Sequence, residues 1–301
     1  MKKFVDICKM TQKEVKAYMA EYLTSREYKV ENKDGFLYAK GDVPVLLVAH
    51  MDTVHKQLPK TIWDISGKIS SPQGIGGDDR CGIFIIMNIV KDLRCSVLLC
   101  EDEEVGGVGA RKFANSSFIK QLDVNYMIEF DRANATDAVF YSCDNEEFTN
   151  FVTDFTGFKE ARGSFSDISV IAPASKIAAV NLSCGYYKAH TTDEYVVYDE
   201  MINTIEVAQT LIETECDKFE YVAKQVSYSW DYSGLTSYSN TQTRHMYPSR
   251  NLDVELTVVF ERDGDEEIGY GTGKTKAEAW LDFFENYDTI CFAQIMDYSF
   301  C

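Results

Sequence analysis

The stretch "VPVLLVAHMDTVH", residues 43–55, decides how the rest of the chain is read. Residues 43–49 are almost wholly apolar, as in a strand covered on both faces of a sheet. His50, Asp52 and His55 follow at once. Strands end at the surface, where His and Asp are common, so the stretch alone fits an ordinary strand end as well as a site. The neighbouring segments separate these readings.

Upstream, Thr11 is placed to cap a helix over "QKEVKAYMAEYLTS", with Glu14 completing a capping box. "EYKVENKDGFLYAKG" reads as two short strands around an Asp-Gly turn. Downstream, "WDISGKISSPQGIGGDD" reads as loop and "RCGIFIIMNIVKDL" as a largely buried helix. "CSVLLCEDEE", "VNYMIEFDR" and "KIAAVNLSCG" read as further apolar strands. "VGARKFANSSF", "NEEFTNFVTDFTGF" and "VYDEMINTIEVAQTLIETEC" read as the helices between and after them. Strands alternating with helices predict an α/β fold with a mostly parallel sheet sandwiched by helices.

Near residue 215 the composition changes to a Tyr/Ser-rich polar stretch. A strand pair over "LDVELTVVFERDGDEEIGYGTG" and a helix over "KAEAWLDFFENY" are expected beyond it. We therefore expect a core over residues 1–215 and a small α+β unit over 216–301. "GYGTGKT" is no phosphate loop, because Ile268 stands where the first glycine is needed; Thr275 reads as a helix cap instead. Acids at Glu278, Asp282 and Glu285 set the last helix against a phosphate grip.

The sequence has 48 acidic and 30 basic residues, a formal net charge of −18. Such a chain repels polyanions, so nucleic acid and anionic membranes are not expected partners, whereas cations suit its field. The cysteine count of 9 is odd and contains no CxxC pair. That usage reads as reduced thiols in a cytoplasmic protein. The opening "MKKFVDICKMTQKE" lacks the apolar stretch of a signal peptide.

Ligands in parallel α/β sheets bind beyond the carboxyl ends of the strands. Here those ends carry His50 and Asp52, then Glu101-Asp102-Glu103-Glu104, then Asp131, and the fourth leads to His190. Asp78-Asp79 precede a helix. So many carboxylates on one edge cannot all stay ionised without cations between them. A pair of divalent ions sharing one carboxylate answers that problem.

The ordered set "HMDTV", "GGDDRCG", "EDEEVGGVGA", "EFDR" and "AHTTDEYV" resembles the di-zinc exopeptidases of the M20, M28 and M42 clan over about residues 1–215. The last motif is similar to peptidase T of the M20 family; "DDRCG" and "EEVGGVGA" are similar to M42 glutamyl aminopeptidases. The resemblance implies His50 and Asp131 on one metal, Glu104 and His190 on the other, and Asp78 bridging through a cis Asp78–Asp79 peptide. It implies Asp52 as an orienting acceptor and Glu103 as the general base for a metal-activated water. The ions would be two divalent metals, zinc above all, with cobalt or manganese as alternatives. The expected reaction is aminopeptidase cleavage of short peptides. The alternatives are an N-acyl amino-acid amidohydrolase on the same site or an inactive metal-binding scaffold.

Other residues carry further expectations. Glu129 is assigned to the strand face opposite Asp131 and so is not read as a ligand; His55, just past the strand, reads as a loop histidine, with substrate contact as the alternative. Arg80 and Arg132 could each hold a peptide carboxylate or neutralise the acids. Asp167 in "GSFSD" resembles a substrate-side element of the clan, Glu194 reads as a partner to the metal ligands, and His245 as structural. Glu103 and Glu104, following a strand, should face opposite ways. Neither the M20 lid, between Asp131 and His190, nor the M42 insert, between His50 and Asp78, has room here. The C-terminal unit is the expected substitute for the missing lid, through packing on the core or on a second copy in a homo-oligomer.

Overall fold

A computed structural model describes residues 1–224, 254–262, 265–273 and 295–300. The chain divides into two compact units, Met1–Val226 and Ser227–Cys301. The first opens with helices α1 (Lys2–Cys8) and α2 (Gln12–Thr24), then strands β1 (Val30–Lys33), β2 (Phe36–Ala39) and β3 (Val43–His50). A small hairpin, β4 (Trp63–Ile65) and β5 (Lys68–Ser70), leads to α3 (Gly77–Ile89), β6 (Cys95–Cys100), α4 (Val108–Ala114) and β7 (Tyr126–Arg132). Next come β8 (Asp137–Val139), α5 (Glu146–Thr156), β9 (Lys159–Ala161), α6 (Asp167–Ser175) and β10 (Ala179–Ser183). β11 (Tyr186–Tyr187), β12 (Tyr195–Val197) and α7 (Tyr198–Glu213) complete the unit's regular elements.

The main sheet has the order β1-β2-β6-β3-β7-β10-β8-β9. Its middle four strands are parallel: β3 pairs parallel with β6 and β7, and β10 pairs parallel with β7. The β1–β2 hairpin joins antiparallel at one edge, turning at Asp34-Gly35 with Gly35 in the left-handed region at φ 91°. The expected α/β sandwich is therefore present, and alternation along β3 shows why. Val45, Leu47 and Ala49 enter the core on one face, Leu46 and Val48 the core on the other. Full burial of such a side chain contributes about 1.5–3 kcal/mol. α3 is buried nearly all round, as expected of a helix covered on every side.

Several elements were not foreseen. The sequence pattern does not mark α1, α6 or the short β8, β9, β11 and β12. "WDISGKIS" is a hairpin and not plain loop, because Ser66 and Gly67 both take positive φ and form the tight two-residue turn favoured between twisted strands. Its β5 pairs with β12 in a second, four-stranded sheet, β11-β12-β5-β4. Residues 216–224, read from composition as part of the C-terminal unit, contact the first unit, with Phe219 in its core and Ala223 bridged to Cys143.

In the second unit, β13 (Val254–Arg262) and β14 (Asp265–Gly273) form the expected antiparallel pair. β15 (Ile295–Phe300), unread from sequence, adds to the free side of β13. The predicted helix over 276–287 and His245 lie outside the described residues. Among the described residues all seven cysteines are free thiols, and no helix is long and apolar enough to cross a membrane.

Candidate metal centre

β3 ends on His50, whose side chain is only 1% exposed. Its Nδ1 lies 3.2 Å from Asp52 Oδ1, and its Nε2 lies 2.9 Å from Asp78 Oδ1 and 3.5 Å from Asp131 Oδ1. Asp131 comes from the carboxyl end of the neighbouring parallel strand β7. Asp78 comes from the start of α3, where Asp78 and Asp79 have non-helical backbone angles and are joined by a cis peptide, as the resemblance implied. Asp79 turns away from this cluster and accepts from the His50 and Gly82 amides, at 3.1 and 2.8 Å.

On the other side of Asp78, His190 Nε2 lies 3.2 Å from Asp78 Oδ2 and 3.1 Å from Glu104 Oε2. His190 is 57% exposed and sits at a positive φ of 63° in the loop between β11 and β12. Two groups result: His50, Asp78 and Asp131, then Asp78, Glu104 and His190, with the ligand atoms of each within 4.8 Å of one another. The five residues named from sequence thus come together with Asp78 common to both groups. The donor set, imidazole and carboxylate, suits zinc and similar divalent ions. Glu104 also buries one carboxylate oxygen, Oε1, with no hydrogen-bond partner.

Asp52 links the two groups. Beyond its contact with His50, it accepts the Glu103 and Glu104 amides, each at 3.0 Å. Those glutamates lie in a turn after β6, where Asp102 takes a positive φ of 58°. Strand alternation therefore does not govern them, and the expected opposition of their side chains loses its basis. The turn is tied to α2 by Gln12, which donates to Asp102 Oδ1 and accepts the Asp102 amide, and by Lys16, 2.6 Å from Glu101.

Glu129 corrects a second expectation. It is two residues from Asp131, and strand periodicity puts both on the same face of β7. Met127, on that face, packs in the core that also holds Ile168 and Ile171 of α6, and Glu129 accepts the hydroxyl of Ser166, the cap of that helix. Glu129 is absent from both potential ligand groups. Asp167, beside it, is buried with both carboxylate oxygens unpartnered.

This concentration of acid perturbs protonation. Burial, reinforced by the charges of Asp131, Asp167 and Glu104 and opposed by His50, pushes Glu103 up to about 9. Burial and the Asp78 charge raise Asp131 to about 7, and burial raises Asp167 to about 6. Hydrogen bonds that His190 donates to the Asp78 and Glu104 carboxylates raise it to about 10. Burial opposes charge on His50, yet Asp131, Asp52 and Asp78 outweigh it and hold it well above the ordinary imidazole value. The protein's own groups thus retain protons that a divalent cation would displace.

Arg80 is not available to substrate. It is buried and donates to the carbonyls of Met51, Asp52 and Met10 at 2.6, 3.3 and 3.1 Å. Arg132 pairs with Asp137 at 3.2 Å. Three supporting residues were missed. Asn181 accepts the Asp131 amide and donates to its carbonyl, and Tyr186 donates to Asp131 Oδ1 at 3.3 Å. His55, set aside as a loop residue, lies 2.7 Å from Glu194. Asn181 left a signal, an amide inside the otherwise apolar "KIAAVNLS", and His55 one in its place just after His50 and Asp52; Tyr186 left none.

Residues 35–230 match the peptidase family M28. The chain belongs to peptidase family M28. Among solved structures it is similar to the aminopeptidase PepT from Bacillus cereus, at 15% identity and a TM-score of 0.59, covering 70% of this chain and 96% of that one. A tripeptidase from Staphylococcus aureus matches at 13% identity and a TM-score of 0.57, covering 69% and 95%. An aminopeptidase from the archaeon Desulfurococcus kamchatkensis matches at 15% identity and a TM-score of 0.54, covering 72% and 96%. At these identities the structures establish the shared fold of this M28 chain. Among curated proteins there is no match.

Proposed function

We propose that this M28 peptidase is a two-metal exopeptidase, an aminopeptidase acting on short peptides. The observation that carries the reading is the shared carboxylate: Asp78 presents Oδ1 to His50 and Oδ2 to His190, so one side chain serves two ligand groups. All five proposed ligands lie within Met1–Val226, which supports a reaction carried by that unit. His50 and Asp131 would hold one ion, Glu104 and His190 the other, and Asp78 both, with zinc favoured over cobalt or manganese by the mixed nitrogen and oxygen donors. Such ions, when bound, supply an acidified water and polarise the scissile carbonyl.

The chain's own residues do the rest. Asp52 accepts from His50 Nδ1 and so fixes the imidazole with Nε2 toward Asp78. The same carboxylate pins the Glu103–Glu104 backbone, setting ligand and base relative to His50. Glu103 acts as general base: its carboxylate takes a proton from the attacking water and passes it to the leaving amine. The acidic surroundings favour a substrate's free α-ammonium, which argues for aminopeptidase over carboxypeptidase activity.

Metal content of the full chain, measured with product release from an aminoacyl-anilide panel and an N-acetyl amino-acid panel, tests this. Two ions per chain with anilide cleavage is the expected result. Cleavage of the N-acetyl compounds alone would make the protein an amidohydrolase. Bound ions without turnover on either panel would make it a scaffold.

A further inference from the structure

We infer that Glu194 and His55 form a brace that positions the shared ligand Asp78 from behind, and that both are positioning residues for metal binding and turnover. The inference deepens the two-metal reading and rests on it. Glu194 is fully buried, an expensive location for a carboxylate unless its oxygens are satisfied. Oε1 accepts the Asp78 amide at 3.0 Å; Oε2 accepts the Gly76 amide at 2.8 Å and lies 2.7 Å from His55 Nε2. Two of the three partners are main-chain donors of the loop that carries Asp78, so the carboxylate fixes the backbone from which Asp78 projects.

The surroundings are shaped to this pair. Gly74 is in the left-handed region at φ 84°, and a Cβ there would stand 2.1 Å from the His55 ring. A Cβ on Gly77 would stand 3.2 Å from Glu194 Oε1 and closer still to Val196 and Tyr186. The loop therefore wraps the pair at backbone distance. Because both Glu194 oxygens already accept amides, the imidazole contributes Nε2–H to Oε2 as a donor.

The brace also joins three segments that carry proposed ligands. His55 follows the β3 end that bears His50, Gly76 and Asp78 belong to the start of α3, and Glu194 lies four residues after His190. Neither Glu194 nor His55 is in a ligand group, so their effect passes through Asp78. Groups that orient metal ligands in this way typically contribute about 10–100-fold in affinity or activity.

The test uses the metal-free full chain titrated calorimetrically with Zn²⁺ and with Mn²⁺, alongside kcat and KM on an aminoacyl-anilide. Glu194→Gln puts an NH₂ among donors and is expected to weaken metal affinity by about 10–100-fold. His55→Leu should weaken it in the same direction, whereas His55→Gln, which still offers a side-chain donor, should recover much of the loss. In all three, kcat should fall with KM nearly unchanged. Should Glu194→Gln fail to fold, the His55 pair carries the test by itself. If folded variants lose thermal stability but bind both metals with wild-type affinity, the pair is merely structural and the inference is overturned. Wild-type protein that takes up two ions separates that failure from failure of the two-metal reading, which would show as no uptake at all.

Discussion

The two ligand groups around Asp78 are built differently. On one side His50 is 1% exposed, at the end of β3 and surrounded by Asp52, Asp78 and Asp131. On the other, His190 is 57% exposed and reaches the site from a loop. The first half is made of strand ends, whose positions follow from sheet register. The second depends on loops, the Glu101–Glu104 turn tied to α2 by Gln12 and Lys16 and the segment leading to Glu194. The two groups therefore differ in their histidines, one in the core and one at the surface, while their carboxylates are similarly buried. His50 should matter to the fold as well as to the chemistry, His190 mainly to the chemistry.

The largest effect should come where the halves meet. Asp78→Ala removes the one carboxylate common to both groups, and we expect loss of both ions and peptidase activity at background. Retention of two ions by this variant, read by elemental analysis, would show that the halves bind independently. Glu103→Gln comes next: it should keep both ions yet lower kcat by about 10²–10⁴-fold, the usual contribution of a general base. Metal loss in Glu103→Gln, with Glu104→Ala fully loaded and active, would reverse their roles.

His50→Ala and His190→Ala test the contrast directly. Each should reduce metal stoichiometry. His50→Ala also strips the partner from buried carboxylates and should lower stability by about 3–5 kcal/mol. His190→Ala breaks pairs at a half-exposed side chain and should change stability by less than about 1 kcal/mol. Denaturant titration of the chelated variants measures both, and equal losses would erase the distinction.

A further test concerns pH. In metal-free protein, Asp131 is raised to about 7, Asp167 to about 6 and Glu103 to about 9. Their unfolded values lie near 4. The folded state therefore binds more protons across that window, and its stability should fall as pH rises from about 4 toward 9. His190, raised to about 10, has the same sign: its contribution is present below about 6.5 and lost as pH rises through its folded value. Divalent metal should flatten the trend, because its binding replaces those protons. Thermal melts with chelator and with Zn²⁺ across this range provide the check; a chelated protein that gains stability toward pH 9 would contradict it.

Much of this was legible in the chain. Apolar runs delivering His50, Asp131 and acids at a common edge announced a parallel sheet and its carboxyl-end site, because burial on both faces and strand direction are local properties of sequence. The Thr11–Glu14 capping box and the Asp34-Gly35 hairpin were legible for the same reason, since each is closed by residues a few positions apart. The roles of Glu129 and His55 were not. Glu129 meets Ser166 across 37 residues and His55 meets Glu194 across 139, contacts that exist only once the sheet and its loops have packed. Arg80 stood beside a ligand in sequence, yet packing turned it onto three main-chain carbonyls. By itself, the sequence determined which residue types stand at which strand ends, because strand and helix periodicities fix facing over short distances. Only the tertiary structure decided which side chains share a carboxylate and which merely support it, because those pairings depend on the register between strands and on loops closed by contacts more than a hundred residues apart.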